Sequence, residues 1–293
     1  MTPNRFDVDK YYYPKAPLLP ALLYALCYFL FYYLVRTLIY RCAYIYFLSA
    51  NAGNIEAAAE MYYESANMIA FLSGIIILAF LAVFFSFRKK KLSQAFYLNK
   101  TRASTALICF FTGIFLNFMT TLIISYLPES LLESYSDASS GAMQGHTVWY
   151  IFAAVIMAPI LEEVIFRAMM LSRISTATGN VIAIILSSVI FGVVHGHIVW
   201  STYAFVLGAF LGTVFVRTRS VKASIITHFG FNLVSLLSYI DIESMPQTYQ
   251  MLYQTLLSLC YSLSVPISIA FIIILFHETA DTSSRMPVGF NEE

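Results

Sequence analysis

The run Ala158-Pro159-Ile160-Leu161-Glu162-Glu163-Val164-Ile165-Phe166-Arg167 places two adjacent carboxylates and a guanidinium inside an apolar stretch that reads as a membrane span. Ionisable groups at bilayer depth cost at least ~2.5–3.5 kcal/mol each on insertion scales, and they default to a functional reading. Glu163 and Arg167 are four residues apart, so on a helix they share a face and can pair. Neighbouring residues diverge by about 100° around a helix of about 3.6 residues per turn. Glu162 and Glu163 therefore take different jobs: one faces a cavity while the other is held by Arg167.

Composition sets the solvent around that stretch. Of 293 residues, 59% are hydrophobic and 11% charged, less than half of the roughly one quarter that a soluble domain carries. Long apolar runs without strict alternation predict an all-α, polytopic transmembrane helical bundle rather than an outer-membrane barrel. A net charge of +1 gives no basis for a nucleic-acid partner. Cys27, Cys42, Cys109 and Cys260 have neither zinc-site nor disulfide spacing, and they read as small apolar residues. The first apolar run, Leu18 to Tyr40, exceeds the roughly 7–15 residues of a signal h-region and is read as a retained span.

The pattern predicts about eight spans, over 18–40, 67–87, 103–127, 148–171, 181–199, 202–218, 221–240 and 251–276. Loop charge alternates along this series. Loops 88–102, 172–180 and 217–222 are basic, through residues such as Arg88 to Lys91, Arg173, Arg217 and Arg219. The intervening loops hold Glu56, Glu60 and Glu64, then Glu129, Glu133 and Asp137, then Asp241 and Glu243. The positive-inside rule places the basic loops and both termini in the cytoplasm, as expected for a multi-pass cell-membrane protein. Residues 1–17 are read as a cytoplasmic N-terminal tail, 18–276 as one bundle with its catalytic core near 148–240, and 277–293 as a cytoplasmic C-terminal tail. Loop 128–146, rich in Ser, Gly and acids, reads as a mobile external segment. Tyr11 to Tyr13 and Trp149 suit interfacial aromatic belts.

Two more spans carry polar groups. The fifth holds Phe191 and His195, with His197 just beyond, and the seventh holds His228 and Asn232. From ~1.5 Å of rise per residue, Glu162 lies roughly 14 Å from the cytoplasmic end of the fourth span, and His195 roughly 21 Å from that end of the fifth. On the same rise, His228 and Asn232 lie roughly 10 and 16 Å from the cytoplasmic end of the seventh. One shared cavity is compatible with these depths.

Glu162-Glu163-x-x-x-Arg167, Phe191-x-x-x-His195 and His228-x-x-x-Asn232, in that order on separate spans, resemble the motifs of the CPBP family. That family holds the type II CAAX prenyl endopeptidases and the bacterial Abi-type, or bacteriocin-immunity-type, membrane proteases. The resemblance covers roughly residues 148–235. It implies that Glu162 and His195 position and deprotonate water, that His228 and Asn232 hold the oxyanion, and that Glu163 and Arg167 form a buried orienting pair. Members have been described both as metalloproteases and as glutamate proteases.

Two His and one Glu with an open position are also a catalytic zinc set, although no His-Glu-x-x-His helix is present. The preferred expectation is an intramembrane endopeptidase that needs no cofactor, with zinc as the alternative. Its partners would be a peptide or lipidated-protein substrate and the lipid bilayer. For the CAAX-type enzymes the resemblance implies removal of a C-terminal tripeptide from a prenylated cysteine; maturation of a secreted peptide fits the residues equally. A proton-coupled transporter using Glu162, or a non-catalytic immunity protein, are the readings from other classes.

Overall fold

The computed structural model describes residues 16–279. Most of the expected N-terminal tail, Tyr11 to Tyr13, and the chain beyond residue 279 lie outside the described residues. The protein is a polytopic helical bundle. Seven described helices are long and apolar enough to cross a membrane: α1 (Leu18–Ala50), α2 (Ile55–Phe87), α4 (Ala103–Ile124), α6 (Thr147–Thr178), α8 (Ile198–Thr218), α9 (Val221–Leu233, continued as a tighter turn over Val234–Tyr239) and α10 (Gln247–Glu278). Between them lie the single-turn α3 (Leu92–Ala95), the surface helix α5 (Glu129–Ala142) and the short apolar α7 (Asn180–Val193).

Several expected boundaries move, each for a local reason. Helix α1 runs past residue 40 because 41–50 contains no helix breaker; the chain turns only at Asn51–Asn54. Asn54 caps α2, its side chain accepting from the Ala57 amide at 3.2 Å. Helix α2 starts at Ile55 rather than 67, because Glu56 to Ala66 is rich in strong helix formers. Glu56, Glu60 and Glu64 therefore lie on a helix, not in a loop. The expected mobile segment at 128–146 is largely helical: Pro128 precedes the first turn of α5, and Glu129 sits where the helix dipole favours an acid. The basic loop expected at 172–180 is instead the last turns of α6, down to Thr178.

The fifth expected span is the largest departure. Its helix, α7, has 14 residues, roughly 21 Å of the ~30 Å hydrocarbon core. It stops at Val193, and the chain turns through Gly196, whose φ of +75° suits glycine. His195 therefore sits on a turn, not within a span, and His197 becomes the N-cap of α8.

Helix α6 packs against α1, α2, α7 and α9, which makes it the organising element of the bundle. Its Phe166, together with Phe191 of α7 and Phe215 of α8, is fully buried. α4 and α9 approach backbone to backbone. A Cβ on Gly113 would collide with the Thr227 carbonyl and lie 2.8 Å from the Phe231 nitrogen. A Cβ on Gly230 would collide with the Phe110 carbonyl. Such small-residue contacts let transmembrane helices close on one another. Asn117 ties the pair further, donating to the Phe231 carbonyl at 2.9 Å.

Gly113→Ala is expected to destabilise the bundle by about 1–3 kcal/mol, the usual cost of overpacking, because the obstacle is a carbonyl and not a movable side chain. Thermal unfolding in detergent micelles would show it as a lowered midpoint, and an unchanged midpoint would contradict the close α4–α9 approach.

Candidate active site

Helix α6 is not a uniform α-helix. Wider, π-type turns over Ile151–Met157 and Val164–Leu171 flank an α-helical Ala158–Glu163. Such widened turns recur at functional sites because they re-aim the side chains that follow. Here they bracket both glutamates. Glu163 and Arg167 are fully buried, with Nε–Oε2 at 3.1 Å. That contact is an ion pair outside good hydrogen-bond angles, and the other guanidinium nitrogens have no hydrogen-bonding partner among the described residues. The Phe191 ring lies 4.8 Å from the guanidinium carbon and offers it a cation–π face.

The second oxygen of Glu163 binds His228 of α9, Oε1 to Nδ1 at 3.1 Å. With Arg167 beside it, Glu163 is the acceptor, so Nδ1 of His228 carries the proton. Nε2 of the neutral ring is then a lone-pair atom, and it lies 3.9 Å from Glu162 Oε2. That gap is too long for a direct hydrogen bond.

His195 is oriented by the end of its own helix. Its Nδ1 is 2.6 Å from the Phe191 carbonyl. A carbonyl only accepts, so Nδ1 is the N–H and Nε2 is the basic atom. The Phe191 ring packs edge-on against both imidazoles, at 4.9 Å from His195 and 6.0 Å from His228. Gly208 of α8 makes room for it: a Cβ there would lie 3.0 Å from the Phe191 ring.

Asn232 donates through Nδ2 to the Ala154 carbonyl at 2.8 Å. Sequence explains why that carbonyl is open. In the wide turn of this segment Ala154 would accept from residue 159, which is Pro159 and has no N–H. Asn232 retains a second amide hydrogen.

Glu162, His195, His228 and Asn232 all line one cavity of about 260 Å³, with Tyr150, Tyr203 and Asn117 in its wall. Glu163 and Arg167 stand behind it. The surface helix α5 roofs it, contributing Tyr135, Ser139 and Ala142. His197 does not line the cavity. Its Nδ1 accepts from the Val199 amide at 3.3 Å, which leaves Nε2–H to donate to Ser134 of α5 at 2.9 Å. A second cavity, of about 690 Å³, shares Glu162, His195 and Trp200 with the first and extends along α1 past Tyr32, Arg36 and Tyr40. Sequence reading passed over Arg36; a lone cation deep in an apolar run was the available signal. It also missed the roof, because the composition of 128–146 resembles a loop.

The two free Nε2 atoms and Glu162 suit zinc chemically, and their Nδ1 partners are of the kind that orient zinc-bound imidazoles. Placement is the difficulty: among the described residues no three His, Cys, Asp or Glu side chains are gathered closely enough to form a ligand group.

The match to a known family falls on the same residues. Residues 144–234 match the family described as type II CAAX prenyl endopeptidase Rce1-like. The chain is 28% identical over 203 residues to an "Uncharacterized protein" of Mycoplasma capricolum subsp. capricolum, covering 64% of this chain and 58% of that one. It is 32% identical over 96 residues to the UPF0177 protein YbdI of Lactococcus lactis subsp. lactis, covering 32% and 51% respectively. It is also 32% identical over 82 residues to the "Putative membrane peptidase YdiL" of Bacillus subtilis, covering 28% and 34%. The chain thus matches between about a third and three fifths of the length of these relatives. No solved structure matches it. The residues that match the Rce1-like type II CAAX prenyl endopeptidase family, 144–234, carry the buried Glu163–Arg167 pair and the four side chains of the cavity.

Proposed function

We propose that the protein is an intramembrane endopeptidase that hydrolyses a peptide bond in a membrane-associated or lipidated substrate, using a water activated by Glu162 and His195. The observation that carries this reading is the convergence of Glu162, His195, His228 and Asn232 on one cavity, from two helices, α6 and α9, and the turn after α7. The match of residues 144–234 to an endopeptidase family supports it. The site would lie in the cell membrane, with both termini cytoplasmic, and a prenylated or an unmodified peptide would reach it from the cytoplasm or laterally from the bilayer.

In this mechanism Glu162 and the Nε2 atom of His195 hold the water. Its oxygen bonds to the peptide carbon as Glu162 takes one of its protons. The former carbonyl oxygen becomes the oxyanion and accepts the free N–H of Asn232, the type of contact that stabilises acyl-transfer transition states. With its proton on Nδ1, His228 presents Nε2 as an acceptor, so the donor this arrangement supplies to the oxyanion is Asn232. When the C–N bond breaks, the proton held by Glu162 passes to the leaving amine. No Ser or Cys lies among the four reacting side chains, so no acyl-enzyme is invoked. Nor does any step call on a metal.

Cleavage of a panel of prenylated and unmodified peptides by the purified protein tests this. Glu162→Gln is expected to lower the rate by about 10²–10⁴ and to leave the thermal midpoint in place; full cleavage by that variant would end the proposal. Asn232→Ala should cost both rate, by about 10²–10³, and about 1–3 kcal/mol of stability, since it strips the Ala154 carbonyl of its donor.

Glu163→Gln separates structure from chemistry. It leaves Arg167 buried without its counter-charge, an expected loss of about 3–5 kcal/mol, and adding Arg167→Met should restore part of it. Metal analysis and chelator treatment of the same preparation distinguish a zinc-dependent variant of this reaction, which loses activity, from the metal-free one, which retains it.

A further inference from the structure

Both cavities extend toward one end of the bundle, and loop charge identifies the side of the membrane which that end faces. The basic loops meet at the other end. Thr101 of loop 88–102 donates to Ser220 of loop 217–222, Oγ1 to Oγ at 3.1 Å. The last turns of α6, which carry Arg173, lie at this end too, where the Ala16 amide just before α1 donates to the Thr176 carbonyl at 3.0 Å. Among the described residues Glu278 is the only acid here, and its carboxylate accepts from Ser104 and Thr105.

The opposite end gathers the turn 51–54, the first turns of α2, α5, the turn 194–197 and loop 240–246. Asn67 of α2 donates to the Gln144 carbonyl at 2.8 Å, and Tyr239 at the end of α9 donates to the Met143 carbonyl at 3.0 Å. These segments hold eight acidic side chains and no Lys or Arg. Arg36 and Arg41 belong to α1 itself, in the wall of the larger cavity, and are not loop charges. An excess of Lys and Arg marks cytoplasmic loops, so the acidic end is the outer one.

Glu162 stands at mid-depth, roughly 22 Å from the first residue of α6 and roughly 24 Å from its last at ~1.5 Å per residue. From there both cavities run outward. The smaller takes Tyr150, Ala154 and Ala158 of α6, all on the outer side of Glu162, and ends under α5. The larger follows α1 from Tyr32 to Tyr44 and reaches Tyr62, near the outer start of α2. Toward the cytoplasm the bundle is closed: Phe85, Tyr97, Met170, Leu171, Phe215 and Val221 are buried in one apolar cluster between the site and the basic loops. Laterally it is open. Helix α1 packs against α2 and α6, and the larger cavity fills the space between α1 and the turn after α7, with Tyr33, Arg36 and Val194 of its wall exposed.

We infer that the site takes its substrate from the outer side of the membrane, through the gap between α1 and the turn after α7. This rests on the hydrolytic reading above, and of the approaches named there it selects the lateral one, from the outer leaflet. The substrate class follows: the extracytoplasmic segment of an exported or membrane-inserted peptide. A cytoplasmic protein carrying a C-terminal prenyl anchor would meet the closed end. Of the two substrates that the sequence fitted equally, a secreted peptide is the one that reaches the open end.

Thiol accessibility tests the sidedness without turnover. Ala158→Cys probes the smaller cavity and Thr37→Cys the larger; Ser136→Cys on α5 and Ser93→Cys on α3 are exposed references for the two ends. The full chain is treated with the membrane-impermeant cation 2-(trimethylammonium)ethyl methanethiosulfonate in right-side-out and in inverted vesicles, and the wild type with its four cysteines sets the background. Both cavity variants and Ser136→Cys should react about tenfold or more faster in right-side-out vesicles, since a fixed cation does not cross the hydrocarbon core. Ser93→Cys should show the reverse. Faster reaction of the cavity variants in inverted vesicles, equal reaction in both, or reaction in neither overturns the inference. So does Ser93→Cys reacting from outside, since that inverts the whole chain.

The cleavage assay stays separate. A peptide that the purified protein cleaves should be cut when added to right-side-out vesicles and spared by inverted ones. Cleavage confined to inverted vesicles removes this inference and leaves hydrolysis standing. Outward access with no peptide cleaved by the purified protein does the reverse: hydrolysis falls, and the outward opening of the cavities stands.

Discussion

The Glu163 carboxylate is the fixed point of this bundle. It is wholly enclosed, and its two oxygens are committed in two directions: one to Arg167 on the same helix, the other to His228 on α9. Neither contact is optional in an environment without bulk water. A buried ion pair contributes little net stability over an apolar replacement, but an unpaired member is severely penalised. The pair therefore acts as a constraint more than as glue. α9 must sit where His228 reaches Glu163, and α7 must bring Phe191 beneath Arg167. Once those two helices are placed, Glu162, one residue away and turned by about 100°, is left facing the cavity they enclose.

The packing around that constraint supplies the precision. Gly113 and Gly230 allow α4 and α9 to touch through their backbones, so α9 cannot shift toward α4 without a clash of Thr227 against Gly113 or of Gly230 against Phe110. Gly208 gives the Phe191 ring its slot between α7 and α8. Phe191 in turn touches Arg167, His195 and His228, which makes one aromatic ring the common wall of the orienting pair and both imidazoles. The polar set is thus held by groups that are themselves apolar and closely packed. That is the arrangement expected where a reacting geometry has to be kept within fractions of an ångström.

Much of this was legible in the sequence, and the remainder has identifiable causes. The spacing of Glu163 and Arg167 foretold their pairing, and the divergence of Glu162 from Glu163 foretold the division between cavity and support. The grouping of His195, His228 and Asn232 with Glu162 was compatible with depth and implied by motif order, and the structure brings the four to one cavity. The second partner of Glu163 did not, because a contact between α6 and α9 has no local signature. Nor did the Asn232–Ala154 bond, which requires knowing that the helix widens before Pro159. Hydropathy windows mark where the apolar core of a helix lies, not where the helix ends. They placed the limits of α1, α2 and α6 too far inward, since Ala and Glu continue a helix about as readily as Leu does, and Tyr, Ser and Thr, though weaker formers, do not break one.

The short α7 helix connects these points. Fourteen residues cover roughly 21 Å, so the helix ends before it could cross the ~30 Å hydrocarbon core. Its last carbonyls have no partner within the helix, and lipid supplies none. Interrupted backbone at that depth is tolerated only where it lines a cavity or is buried in protein. Here the free carbonyl of Phe191 is taken by the ring of His195. The helix end thereby acquires a donor, and the imidazole acquires a fixed tautomer with its basic nitrogen unencumbered. A helix that ran on through 199, as hydropathy suggested, would have satisfied Phe191 internally and left His195 free to rotate. The break in α7 is therefore what turns a histidine near an apolar run into an oriented group beside Glu162.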